Sequence, residues 1–237
     1  MSRLVGLFDL RRLPLLLRGE SGAVVGWVRG EVGVWVLFQV VMIAAGAGLY
    51  GAAVGCWRDP LQSLFLAIKL PLILLLTALA NGLANGMLAP LLGLNITFRQ
   101  SLLLVLMSFT IAAAVLGAFS PIIFFLIWNT PAPGESGSNY FFTLLTNVLL
   151  IAFAGIIANL RLLGLIQELS GSRVIARKVV FAWLAGNLLL GAQISWNLRP
   201  FIGSPDLAVE FIRANAFEGN FYETVYRVVQ QILMSIL

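Results

Sequence analysis

The sequence predicts an all-α protein, a polytopic transmembrane helix bundle of about five spans. Three observations predict it. Hydrophobic residues fill 60% of the chain and mean hydropathy is +0.97, whereas soluble domains run nearer half apolar and a quarter charged. Only 11% of residues are charged, and nearly all of them fall in gaps between long apolar runs. The runs themselves outlast what a soluble core needs. Val32–Trp57 carries no formal charge, and at about 1.5 Å per residue such a helix crosses a hydrocarbon core of about 30 Å with length to spare. No run alternates with period two as barrel strands would.

The elements follow in order. Residues 1–31 hold Arg3, Arg11, Arg12, Arg18 and Arg29, with Leu4, Leu7, Phe8 and Leu15 supplying apolar surface between them. This reads as a retained basic segment on the membrane surface, a helix broken near Pro14, with anionic lipids as its partner. Asp9, Arg11, Arg12 and Pro14 interrupt the apolar stretch a signal peptide would need. The bundle occupies 32–198. Its first span is Val32–Trp57, closed by the turn Trp57-Arg58-Asp59-Pro60. The second lies within Leu61–Ala89, and Pro71 near its middle predicts a tilted or interfacial Leu61–Leu70 followed by a straight portion. The third is Ser101–Trp128, the fourth Tyr140–Leu160 and the fifth Val179–Leu198. The segment 199–237 predicts two amphipathic helices. Ser204-Pro205 would start one, with proline at the first helical position. After Gly219, Asn220-x-x-Glu223 resembles a capping box opening the other. In that helix Tyr222, Val225, Tyr226, Val229, Ile232, Leu233 and Ile236 share one face, and Glu223, Arg227, Gln230, Gln231 and Ser235 the opposite one. Such a helix suits a membrane surface or a partner.

Basic residues between spans set the expected orientation. With a cytoplasmic N-terminus, the inner segments hold the five N-terminal arginines with Arg99, Arg161, Arg173, Arg177 and Lys178, while the outer segments hold Arg58, Arg199, Arg213 and Arg227. The N-terminus is expected inside and the C-terminus outside, in a bacterial inner membrane or an endomembrane.

The same composition excludes several functions. Basic residues that flank apolar spans serve orientation and headgroup contact, so nucleic acid is not an expected partner. There is no histidine and one cysteine, Cys56. The commonest general base and metal ligand are therefore missing, and no internal disulfide can form. No zincin motif, phosphate-cradling loop or carboxylate cluster for magnesium occurs. No catalytic residue, metal or cofactor is assigned.

Four constellations remain. Small residues recur at helical spacing in the first span (Gly48, Gly51, Gly55) and the second (Gly82, Gly86), which lets helix backbones approach closely within the bundle or between subunits. Thr77, Asn81 and Asn85 form a polar stripe on one face of the second span, with Asn147, Asn187 and Gln39 in other spans. The stripe reads as interhelical glue or as the lining of a polar path. Lys69 lies in an apolar run about nine residues beyond Pro60, and its long side chain is expected to snorkel to the outer interface. Two turns carry the remaining set: Trp57, Arg58 and Asp59 after the first span, and Gln193, Trp196, Asn197 and Arg199 at the end of the fifth. They form an ordinary aromatic belt or a site for a phosphate headgroup or a partner's carboxylate.

From Leu91 the chain reads LLGLNITFRQSLLLVLMSFTIAAAVLG. This resembles the Yip1-like membrane protein family, in which a glycine-containing loop leads to a Ser/Thr-Phe-Lys/Arg-Gln segment opening the third span; Thr97-Phe98-Arg99-Gln100 holds that place here. The span count, the cytoplasmic N-terminus and the Asp-Pro before the second span are similar, over roughly residues 57–200. The resemblance implies a non-enzymatic protein that shapes membranes or recruits partners, although the C-terminal tail is longer than that family usually carries. The expected function is a scaffold, anchor or accessory subunit that binds other membrane subunits or itself. A small-solute or ion transporter and a lipid-binding protein are the alternatives.

Overall fold

The structure, a computed structural model, describes residues 12–18, 32–131, 137–201 and 208–236. In lipid every backbone amide and carbonyl must be satisfied within its own segment or by protein neighbours, and the described residues comply with seven helices and no strand. These are α1 (Arg12–Arg18), α2 (Val32–Gly55), α3 (Pro60–Leu91), α4 (Phe98–Trp128), α5 (Gly137–Ser170), α6 (Arg173–Asn197) and α7 (Phe221–Ile236). Helices α2 to α6 are each long and apolar enough to cross a membrane. The length and composition of these helices define an integral membrane protein. Short connections make successive spans antiparallel. One end of the bundle, here called distal, carries the ends of α2, α4 and α6. The proximal end carries α1, which packs on α4 and buries Leu16.

Helix α4 is central. In its most apolar stretch 56% of residues are buried, against 22% in α6. Helix α2 lies against α3 and α4. On the other side α6 packs on α3, α5 packs on α4, and α5 and α6 pack on each other.

Local chemistry starts these helices. Asp59 caps α3 by accepting the Leu61 amide at 2.7 Å, with Pro60 in the first turn. Thr97 and Gln100 form a reciprocal capping box on α4: the Gln100 amide donates to Thr97 Oγ1 at 3.3 Å and the Thr97 amide to Gln100 Oε1 at 2.9 Å. Asn220 Oδ1 accepts the Glu223 amide at 2.7 Å to open α7. The Glu223 carboxylate turns forward to Arg227.

Several boundaries differ from the sequence reading. Helix α3 is one unbroken helix of 32 residues, about 48 Å long, and no separate interfacial piece forms over Leu61–Leu70. Pro71 has no N–H for the Ala67 carbonyl, but Gly48 of α2 covers that oxygen. A Cβ on Gly48 would lie 3.3 Å from it, so a neighbouring helix shelters the freed group. Helix α5 continues past Leu160 to Ser170, and α6 begins at Arg173. Hydropathy reports the apolar run, whereas the backbone stays helical through Arg161 and Glu168 because nothing there breaks it. Pro14 lies in the first turn of α1, where its missing N–H costs little, so α1 is not broken there. The rest of the predicted interfacial segment lies outside the described residues. Residues 208–220 form turns rather than a helix, and the expected start at Ser204-Pro205 also lies outside the described residues.

Candidate functional site

The distal end of α6 gathers the chemistry. Arg199, two residues past the end of α6, folds back onto its last turn. Its guanidinium carbon lies 3.0 Å from the centre of the Trp196 ring, and its Nε donates to the Trp196 carbonyl at 3.1 Å. Arg213 approaches the same ring, at 5.2 Å. Two cations around one indole gain quadrupole attraction but repel each other. Burial, and then the charge of Arg213, push the Arg199 guanidinium below its ordinary pKa.

The tail is tied to this end by named bonds. Gln193 Nε2 donates to Asn197 Oδ1 at 3.2 Å, and Gln193 Oε1 accepts the Phe221 amide at 3.0 Å. The Phe221 ring meets Trp196 edge-on at 6.2 Å, and the Tyr222 hydroxyl donates to the Leu189 carbonyl. Helix α3 holds the chain between α6 and α7. Gln62 donates to the Phe201 carbonyl, and Phe65 packs edge-on against Phe211 at 5.3 Å.

Lys69 belongs to this anchor. It is fully buried; its Nζ donates to the Pro200 carbonyl at 2.6 Å and lies 5.1 Å from the centre of the Phe211 ring. The ammonium does reach toward the distal end, but the tail covers it with a carbonyl and a ring, so it meets protein rather than open headgroups.

The turn after α2 lies beside this region. Buried Trp57 donates its indole N–H to the Pro131 carbonyl at 3.1 Å. Asp59 is occupied as the α3 cap, and Arg58 is half-buried. Phe201 packs on the apolar cluster that contains Trp57, Tyr50 and Leu66, which joins the two turns. Of the residues singled out in them, Gln193, Trp196, Asn197 and Arg199 therefore form one cluster, and Trp57, Arg58 and Asp59 form its neighbour. Arg213 carries no sequence signal beyond being a basic residue in a tail; only folding brings it to Trp196.

The polar stripe faces α6. Asn81 Nδ2 donates to the Trp183 carbonyl at 3.0 Å and also to Asn187 Oδ1. A Cβ at Gly186 would strike Asn81 Oδ1, and one at Gly191 would lie 3.5 Å from Thr77 Cγ2. Thr77 and Asn85 are buried as well. Asn147 accepts the Tyr50 hydroxyl at 2.6 Å, joining α5 to α2. The glycines line the other contacts. Cβ atoms on Gly51 and Gly55 would strike the backbone of Leu66, and of Gln62 and Ser63, in α3. Gly82 and Gly86 face the side chains of Leu102 and Phe98 in α4. A further close crossing, unmarked by any repeat in the sequence, sets Gly46 of α2 against Ala113 and Gly117 of α4.

Among the described residues no three His, Cys, Asp or Glu side chains gather to hold a metal. No protein-family model matches this chain, and no curated protein or solved structure matches it either. Thr97-Phe98-Arg99-Gln100 has a local physical role: Thr97 and Gln100 cap α4 while Phe98 fills the space left by Gly86.

Proposed function

We propose that this is a non-enzymatic membrane scaffold whose distal end recruits another membrane protein subunit through α7. One observation carries the reading. Helix α7 is tied to α6 through its first turn, and the apolar residues beyond that turn, Val225, Tyr226, Val229 and Leu233, stay exposed. A helix with one apolar and one polar face, fixed at one end, is suited to lie in a partner's groove. The basic N-terminus faces the cytoplasm in this reading and α7 the opposite side, in a bacterial inner membrane by preference. Yip1-like membership would fit the same role of partner recruitment.

A transport reading would need Thr77, Asn81 and Asn85 to line a path. Asn81, bonded to α6, supports glue instead, while Thr77 Oγ1 and Asn85 Nδ2 are buried beside it without a hydrogen bond among the described residues. The scaffold reading is tested by photo-crosslinking from Val225 and Leu233 on one face of α7 and from Gln231 on the other, in the native membrane. One stoichiometric membrane partner is expected from the first pair, lost on Tyr226→Ser with Val229→Ser, and none from Gln231. A native preparation that contains only this chain and lipid would sink the proposal.

A further inference from the structure

The distal end holds donors with nothing to donate to. Nη2 of Arg199, Nε and Nη2 of Arg213, and Nε1 of Trp196 are all shielded from solvent, and none has a hydrogen-bond partner among the described residues. Every one of these atoms is a donor. Among the described residues neither guanidinium pairs with a carboxylate; the ion pair there, Glu223 with Arg227, lies on α7. The two arginines are half-buried as whole residues, yet these atoms are shielded, and shielded polar atoms are normally satisfied. The four unsatisfied donors belong to three side chains gathered at one indole, two of them cationic, and together they call for an anionic acceptor.

The donor geometry narrows its chemistry. A carboxylate is satisfied by one arginine fork, such as Nε and Nη2 of Arg213, whereas a further Nη2 from Arg199 and an indole N–H call for an anion with several acceptor oxygens spread in three dimensions. Phosphate has that shape. Depth narrows its source, because the cluster lies just past Asn197, where a spanning helix gives way to the headgroup layer. We infer that Trp196, Arg199 and Arg213 form a phosphate-binding site at the distal end of α6, filled by a phospholipid headgroup or by a free phosphate of the same chemistry. The site does not depend on what α7 binds.

The test uses the full chain in a detergent without phosphate. Its thermal unfolding midpoint is followed during titration with a short-chain phosphatidylglycerol, with diacylglycerol of the same chains, and with inorganic phosphate. Saturable stabilisation by phosphatidylglycerol and none by diacylglycerol is expected. A shift with inorganic phosphate equal to that with the lipid assigns the site to free phosphate, and a shift that needs the acyl chains assigns it to lipid. Arg199→Gln with Arg213→Gln should weaken binding on the order of tenfold or more, as removal of charge-assisted hydrogen bonds does, while Arg227→Gln binds as the unaltered chain does. Should the double variant not fold, Trp196→Phe keeps a ring beneath Arg199 and removes one donor, and weaker binding is again expected. Equal stabilisation by diacylglycerol, no stabilisation by any phosphate compound, or unaltered affinity in the variant that folds would overturn the site.

Discussion

Where α2 crosses α3 and α4, backbones touch; where α6 meets α3 and the tail, side chains reach across. At the first contact Gly51 and Gly55 leave no room for a Cβ beside α3, and Gly46 leaves none beside Ala113. At the second, Asn81 donates to Trp183 and Asn187, Lys69 to Pro200, and Gln193 accepts from Phe221. The difference follows from the solvent. Lipid tails are as apolar as leucine, so helices associate by close dispersion contact or by hydrogen bonds between them. The first mode is sensitive to added volume and the second to lost polarity.

The largest effect is expected where volume is added to the first contact. Gly51→Leu should cost about 3 kcal/mol, since the obstruction is the Leu66 backbone rather than a flexible side chain. Gly164→Leu, at a position with nothing within 4 Å, should stay within about 0.5 kcal/mol. Reversible unfolding in mixed detergent micelles measures both, and equal values would mean that the α2–α3 contact does not depend on the missing volume at Gly51.

Loss of polarity in the second region comes next. Lys69→Met removes the ammonium donor to Pro200 and should cost about 2 kcal/mol, the scale of a hydrogen bond to a charged group. Its more specific readout is faster proteolysis within 208–220. An unchanged cleavage rate would mean that Lys69 does not hold the tail.

The smallest effect is expected at the stripe. Asn81→Ala should cost about 1 kcal/mol. Asn85→Ala should cost less, because Asn85 Nδ2 makes no hydrogen bond. The same unfolding measurement ranks them, and the reverse order would show that the α3–α6 contact is misassigned.

Five spans were legible because run length and hydropathy report directly on transfer into hydrocarbon, residue by residue. Asn220 was legible as a helix start because its cap involves a neighbour three residues on, whereas Asp59 read only as part of a turn and Thr97 with Gln100 only through a resemblance, although each caps a helix. The extent of α5 was not, because hydropathy falls at Arg161 while the helix continues. Nor was the path of α3 through Pro71, where Gly48 of another helix lies against the freed Ala67 carbonyl. Trp196 and Arg199 stood out as a turn motif, but Arg213 is fourteen residues further on with no periodicity to mark it.

The sequence by itself determined that this chain is an all-α membrane bundle, and which of its residues are too polar or too small to sit idle in a span. Only the tertiary structure decided their partners: Lys69 with Pro200, Asn81 with α6, Gly46 with α4, Arg213 with Trp196. Transfer and capping are local properties that add along a chain. The partner of a buried polar atom is set by which distant backbones can come close, and that depends on matching volumes across helices far apart in sequence.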